Sequence, residues 1–252
     1  MDDLKICGLN LDIHWGSKEL NYRRIEEQFK NAEADIFLLP EMFSTGFNMQ
    51  PENVADGNQE TLNWMINFAS QKRSAVCGSV SVKENGQFYN RFYFVEPNGT
   101  SAYYDKRHLF SFAGEDQRYE AGSKKIIIKY KGWRILLQVC YDLRFPVFSR
   151  NIGDYDAILY VANWPEQRID AWNTLLKARA IENQSYVFGL NRIGIDGNGI
   201  SYPESSTCFF PDGSIISEMD GNIITAKFEK EKFLKFREKF QFLKDGDSFQ
   251  IQ

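Results

Sequence analysis

Apolar residues along this chain gather in short runs, separated by polar stretches that carry a helical period. ICGLNLDI (6–13) and DIFLLP (35–40) have the length and continuity of buried strands. Between them Tyr22, Ile25, Phe29 and Ala32 fall on one helical face, with Ser17 placed as N-cap. The opening is therefore a β–α–β unit. A second helix is marked by Leu62, Met65, Ile66 and Ala69, and it leads into the strand SAVCGSVSV (74–82). From 76 to 140 the character changes. VCGSVSV, QFYNRFYFVEP and TSAYYDK are joined by ENG (84–86) and PNG (97–99); Asn-Gly tolerates positive φ, so hairpins are expected. KIIIKYKGWRILLQVC (125–140) is a further pair of runs broken at Lys131-Gly132. Then YDAILYVANW (155–164) reads as a strand, AWNTLLKARAIEN (171–183) as a helix and SYVFGLNR (185–192) as a strand. Two more strands are expected around PDG (211–213), followed by a helix carrying Phe233, Phe236 and Phe240.

No linker, repeat or composition break divides the chain, so 1–252 reads as one domain. Its mixture of β–α units and hairpins suggests an α/β fold of two packed sheets with helices outside. A hydrophobic content of 43% over 252 residues is enough for a single core. The formal charge of -4 is spread along the chain without a basic block, which argues against a nucleic-acid partner. No apolar run approaches the roughly 20 residues that span a bilayer. The start, MDDLKICGLNLDI, has acids where a secretory leader has a basic region. A cytoplasmic location, away from membranes, is expected. Cys7, Cys77, Cys140 and Cys208 are widely separated and show neither CxxC spacing nor a disulfide framework. With only His14 and His108 present, a histidine-rich metal site is not expected.

Three polar residues end apolar runs: Glu41 after DIFLLP, Lys106 after TSAYYD and Cys140 after RILLQV. Strand ends are common places for chemistry, because a rigid sheet holds the residue while a loop opens room for substrate. A thiolate can attack a carbonyl carbon, a carboxylate can move protons, and an ammonium can stabilise an oxyanion. Each residue also has a plainer reading, as turn acid, solvated charge and small buried hydrophobe respectively. Their flanks decide between the two.

LLPEMFSTGF (38–47), YDKRHLF (104–110) and LLQVCYDLRFP (136–146) resemble the glutamate, lysine and cysteine motifs of the nitrilase superfamily of carbon–nitrogen hydrolases. The likeness continues through YVANWP (160–165), LLKARAIENQSYVFGLNRIGIDGNG (175–199) and FFPDGSII (209–216). It implies a four-layer α-β-β-α sandwich and a mechanism without a cofactor. It also implies Glu41 as general base and acid, Lys106 as oxyanion-stabilising cation and Cys140 as nucleophile. The backbone N–H of Tyr141 would be an oxyanion donor. A second, supporting glutamate is expected in FAGEDQRYEAG (112–122), with Glu115 the better match and Glu120 its competitor.

Within the superfamily the motifs look most like those of the bacterial ω-amidases. That group hydrolyses the terminal amide of 2-oxo-dicarboxylate monoamides such as 2-oxoglutaramate and 2-oxosuccinamate, through a cysteine thioester. Such a substrate needs a guanidinium for its carboxylate, for which Arg144 and Arg168 are candidates. The alternatives are a structural ion pair for Arg144 and an exposed charge for Arg168. Phe43, Phe47 and Trp164 are candidate pocket walls, and His108 is expected beside the pocket or behind the lysine. Rival functions are deaminated glutathione amidase, a carbamoyl-amine hydrolase, a true nitrilase, a Cys–His hydrolase using His108, or a non-catalytic interaction protein. The resemblance also implies a homodimer, to which the aromatic segment 228–252 could contribute. That segment could equally close its own domain.

Overall fold

Strand alternation decides how this chain layers. The computed structural model describes residues 3–250. A seven-stranded sheet contains β1 (Leu4–Leu9), β2 (Ile36–Leu38), β3 (Ala75–Glu84), β4 (Gln87–Val95) and β5 (Ser101–Asp105). A five-stranded sheet contains β6 (Ile127–Tyr130), β7 (Trp133–Val139), β8 (Ala157–Ala162) and β9 (Tyr186–Asn191). A small hairpin, β10 (Gly194–Ile195) with β11 (Ser201–Tyr202), follows, and β12 (Thr207–Phe209) then joins the five-stranded sheet. Finally β13 (Glu218–Asp220) and β14 (Ile223–Phe228) return to the first sheet, giving the order β13-β14-β1-β2-β3-β4-β5. The second sheet runs β12-β9-β8-β7-β6. Strands β1, β2 and β3 are mutually parallel, as are β7, β8 and β9, and antiparallel strands flank both sets.

Because successive side chains point to opposite faces, each strand feeds two cores. Leu4, Ile6, Ile36, Leu38, Phe92 and Phe94 face Ile135, Leu137, Val139, Leu159 and Phe188 in the layer between the sheets. The alternate residues Cys7, Leu9, Phe37 and Val76 pack on Tyr22 and Ile25 of α1 (Lys18–Gln28), and on Met65 and Phe68 of a helix at Glu60–Lys72. On the outer face of the second sheet, Leu136, Ile158 and Tyr160 pack on Trp172 and Leu176 of the helix Ile169–Glu182. The expected α-β-β-α sandwich is therefore borne out. The two sheets meet at their apolar faces and the helices cover the others.

The hairpin joining β3 to β4 turns through Asn85 (φ 51) and Gly86 (φ 84), as the Asn-Gly pair predicts. Several expected boundaries shift. The first strand leaves the sheet after Leu9, although Leu11 and Ile13 remain buried against the helical layer. Periodicity records burial, not the hydrogen-bonded ladder. Ser17 occupies the N-cap of α1 but makes no side-chain cap bond. Around PDG only β12 precedes the turn; Ile215 makes a single bridge beyond it. The two strands that follow, β13 and β14, belong to the opposite sheet.

The C-terminal helix Lys230–Lys239 closes its own domain, with Phe233 fully buried against Trp133 and Tyr186. Asp156 receives Arg134, Lys230 and Arg237, fastening this helix to the start of β8, the middle strand of the second sheet. Residues 251 and 252, at the end of the segment considered for a subunit contact, lie outside the described residues. Among the described residues no helix is long and apolar enough to cross a membrane.

Candidate active site

The chain leaves β2 through Leu39-Pro40 and turns sharply at Met42, a non-glycine residue with φ 46. This turn sits on β3 because Gly78 has no side chain; a Cβ there would lie 2.8 Å from Leu39 Cβ and 3.0 Å from Phe43. Glu41 is thereby placed between the sheets at 0% exposure. Lys106 follows β5 and is 1% exposed, and Glu115 sits at 0% in a short turn beyond it. Lys106 Nζ is 2.9 Å from Glu41 Oε1, 2.8 Å from Glu115 Oε2 and 3.1 Å from Glu115 Oε1. One ammonium thus bridges two buried carboxylates.

Cys140 ends β7 from the other sheet and begins a turn with φ 46, in the left-handed region. That conformation is unfavourable for a side-chain-bearing residue and recurs where a nucleophile must be aimed out of a strand end. Asp142 holds the turn. Its carboxylate accepts the Val139 N–H at 2.9 Å, the Tyr104 hydroxyl at 2.9 Å and the His108 N–H at 3.0 Å. His108 Nδ1 is 2.7 Å away and must be the donor, since a carboxylate only accepts. The second sheet's cysteine turn is in this way tied to the first sheet's lysine loop.

Burial pushes the Cys140 thiol well above its ordinary range, and Glu41 adds to that; Lys106 pulls the other way. Burial also opposes ionisation of Glu41, yet Lys106, Asn163 and Asn90 hold it below the usual carboxylate range. Burial would likewise lower Lys106, but Glu115 and Glu41 keep it well above the ordinary lysine value. For Glu115, burial and then the nearby Glu41 drive the carboxyl upward against Lys106. Both its oxygens nevertheless accept two donors each, from Lys106, Asn90 and the Phe110 N–H. That donor set suits a carboxylate.

Glu41 and Cys140 border a cleft of about 360 Å³ that Phe47, Tyr141, Arg144 and Trp164 also line, with Lys106 and Glu115 buried behind them. Arg168 lines it too. The Arg144 guanidinium lies 5.1 Å above Trp164, and that of Arg168 lies 5.0 Å above Phe110. Neither guanidinium has an ion pair or hydrogen-bond acceptor among the described residues. The ion-pair alternative for Arg144 thus finds no partner, and Arg168 is half-buried at the cleft.

The structure corrects one expected wall residue, Phe43, and puts His108 in the second of its two expected places. Phe43 is fully buried in the helical layer beside Trp64 and does not reach the cleft. The left-handed Met42 turns the chain between it and Glu41. His108 stacks on Phe145 at 3.9 Å and engages Asp142, so it stands behind the cleft. That position also removes the geometry a Cys–His pair would need. Of the two competing glutamates, Glu115 joins Lys106 and Glu120 is exposed.

Sequence reading missed the asparagines that hold the acid. Asn90 Nδ2 donates to Glu41 Oε1 at 2.8 Å and to Glu115 Oε1 at 3.1 Å, and Ser79 orients it. Asn163, at the end of β8, donates its main-chain N–H to Glu41 Oε2 at 2.8 Å. One signal was available: Asn90 interrupts a strongly aromatic strand, and a polar residue there demands a partner. Cys7, Cys77 and Cys208 are buried, as expected of packing residues.

Comparison with known proteins identifies the family. A family model described as carbon-nitrogen hydrolase matches residues 7–232. The chain is 44% identical to the omega-amidase YafV of Escherichia coli K12, over the whole of both chains. It is 30% identical to the 2-oxoglutaramate amidase of Bacillus subtilis, covering 95% of this chain and 96% of that one. The solved structure of XC1258 from Xanthomonas campestris, a CN-hydrolase superfamily protein, superposes with a TM-score of 0.97 at 36% identity, over the full length of both chains. The chain belongs to the carbon-nitrogen hydrolase family, the nitrilase superfamily that its three motifs resemble.

Proposed function

We propose that this amidase cleaves the terminal amide of a small 2-oxo-dicarboxylate monoamide, 2-oxoglutaramate or 2-oxosuccinamate, through a thioester on Cys140. The observation that carries the reading is the buried bridge from Lys106 to Glu41 and Glu115, beside the thiol. A thiol raised by burial has a negligible thiolate fraction at neutral pH, so it needs a base in contact. Glu41 supplies one. It takes the thiol proton, the sulfur adds to the amide carbon, and the oxygen becomes an oxyanion. Lys106 and the Tyr141 N–H stabilise that charge, the bidentate bond from Lys106 to Glu115 being the one that can yield. Glu41 returns the proton to the departing ammonia, then activates a water that splits the thioester to acid and free thiol.

The substrate class rests on the two guanidinium groups. A cleft at the small end of the range for ligand sites, with two unpaired cations on aromatic floors, suits a short anionic substrate. The ω-amidase and 2-oxoglutaramate amidase names of the relatives point the same way. Ammonia release from 2-oxoglutaramate, 2-oxosuccinamate, deaminated glutathione and a simple nitrile tests the reading. The two monoamides should be preferred, and Arg144→Ala should cut kcat/KM for them by between about 10- and 100-fold, chiefly through KM. A neutral amide should be much less affected. Preference for deaminated glutathione or the nitrile, or equal loss for charged and neutral amides, would count against it.

We further read the chain as a single catalytic unit, acting as a homodimer in the cytoplasm. Four unpaired cysteines suit a reducing compartment. The exposed Leu234, Phe242 and Phe249 supply apolar surface for a second copy. Sedimentation velocity should give twice the chain mass, and Leu234→Glu with Phe242→Glu should shift it toward the monomer; a monomeric parent overturns the dimer.

A further inference from the structure

Every acceptor position on the Glu41 carboxylate is already occupied. Oε1 receives Asn90 Nδ2 at 2.8 Å and Lys106 Nζ at 2.9 Å. Oε2 receives the Asn163 main-chain N–H at 2.8 Å and Asn163 Nδ2 at 3.2 Å. A carboxylate offers about four lone-pair sites. A proton can therefore join Glu41 only where one donor gives way. The longest of the four bonds is that from Asn163 Nδ2. The same Nδ2 also donates to the Glu41 main-chain carbonyl at 2.7 Å, which gives it a second anchor.

Asn163 touches the nucleophile as well, its main-chain carbonyl lying 4.0 Å from Cys140 Sγ. Its amide orientation is unambiguous, since both of its Glu41 partners can only accept. Among the described residues no donor reaches its buried Oδ1.

We propose that Asn163 is a positioning residue that selects Glu41 Oε2 as the oxygen taking the Cys140 proton, its Nδ2 withdrawing to the main-chain carbonyl as the proton arrives. The S–H bond breaks and an O–H bond forms on Oε2, while the sulfur keeps the electron pair and adds to the amide carbon. The Nδ2 bond re-forms when the proton leaves with the departing nitrogen. This inference rests on Glu41 acting as the base.

The charged or titratable groups facing Glu41 are Lys106 from the loop after β5, Glu115 from the following turn, Cys140 from the end of β7 and the Tyr119 phenol. None of them is altered by changing Asn163. Losing the Nδ2 donor removes support from the ionised carboxylate, so its proton affinity rises. The acidic limb of kcat/KM, which reports the free enzyme's base, must then move to higher pH.

The test compares Asn163→Ala and Asn163→Asp with the parent by kcat/KM against pH on 2-oxoglutaramate. Independently of any substrate, it measures the pH dependence of Cys140 alkylation by iodoacetamide. For Asn163→Ala we expect the acidic limb to move up by about one pH unit, with kcat at least about tenfold lower and KM within about threefold. Asn163→Asp, which sets a like charge beside Glu41, should move it further, and the alkylation profile should change in both. A folded variant with lower kcat but an unmoved limb and an unmoved alkylation profile overturns the proposal. Should the alanine variant not fold, Asn163→Ser takes the same two measurements. A parent enzyme releasing no ammonia from any small amide overturns the proposed function instead; the alkylation profile then decides the role of Asn163.

Discussion

Cys140→Ala should reduce amide hydrolysis by about 10⁴-fold or more while leaving the fold in place. In the proposed mechanism the covalent route runs through one sulfur, and no other cysteine can replace it, because Cys7, Cys77 and Cys208 are buried in the packed layers. The backbone at 140 is left-handed with φ 46, but alanine keeps the Cβ already present, so no new steric conflict arises. The stability change should stay within about 1 kcal/mol. Ammonia release and thermal unfolding on the same preparation check both halves. More than a trace of turnover in a protein of unchanged melting temperature would remove Cys140 from the mechanism.

Lys106→Met should cost far more stability. It replaces the ammonium by an apolar chain of similar length and leaves Glu41 and Glu115 buried without their shared cation. Breaking one partner out of a buried ionic set typically costs about 3–5 kcal/mol. The sign with pH follows from the direction each carboxyl takes. In the parent, Glu41 is held below its ordinary value, so its contribution is present above the unfolded pKa and fades as pH falls. Glu115 is held above its ordinary value, so its contribution is present at low pH and fades as pH rises. Without Lys106 both carboxyls rise, and both then favour folding only while protonated. The deficit should be small near about pH 5 and grow through neutrality. Denaturant unfolding of parent and variant at acidic and mildly alkaline pH measures it. An equal deficit at both would show that the ammonium does not govern these carboxylates.

The parts of this architecture readable in sequence were those that depend on near neighbours. Apolar runs located strands β2, β3, β7, β8 and β9, and Asn85-Gly86 marked the hairpin between β3 and β4. The three motif residues were legible because their flanks are distinctive, and the structure brings their side chains together. What escaped depends on distance along the chain. Strand β14 pairs with β1 across more than two hundred residues, and nothing in IITAKF points to LKICGL as its partner. Asn163 and Asn90 are short polar residues whose meaning appears only once Glu41 lies between them. Phe43 and Phe47 flank the same turn and look alike in sequence. Left-handed Gly46, with φ 80, lies between the core position and the cleft position.

The fastening of the cysteine turn to the lysine loop bears on how the protein is made. Glu41, Asn90 and Lys106 come from one half of the sandwich, Cys140 and Asn163 from the other, and Asp142 staples them. A nascent or partly melted chain therefore carries an ordinary, unassisted thiol. On the proposed mechanism, hydrolytic power switches on only as the halves dock, so damage to their shared interior should silence the enzyme before it can act on the wrong amides.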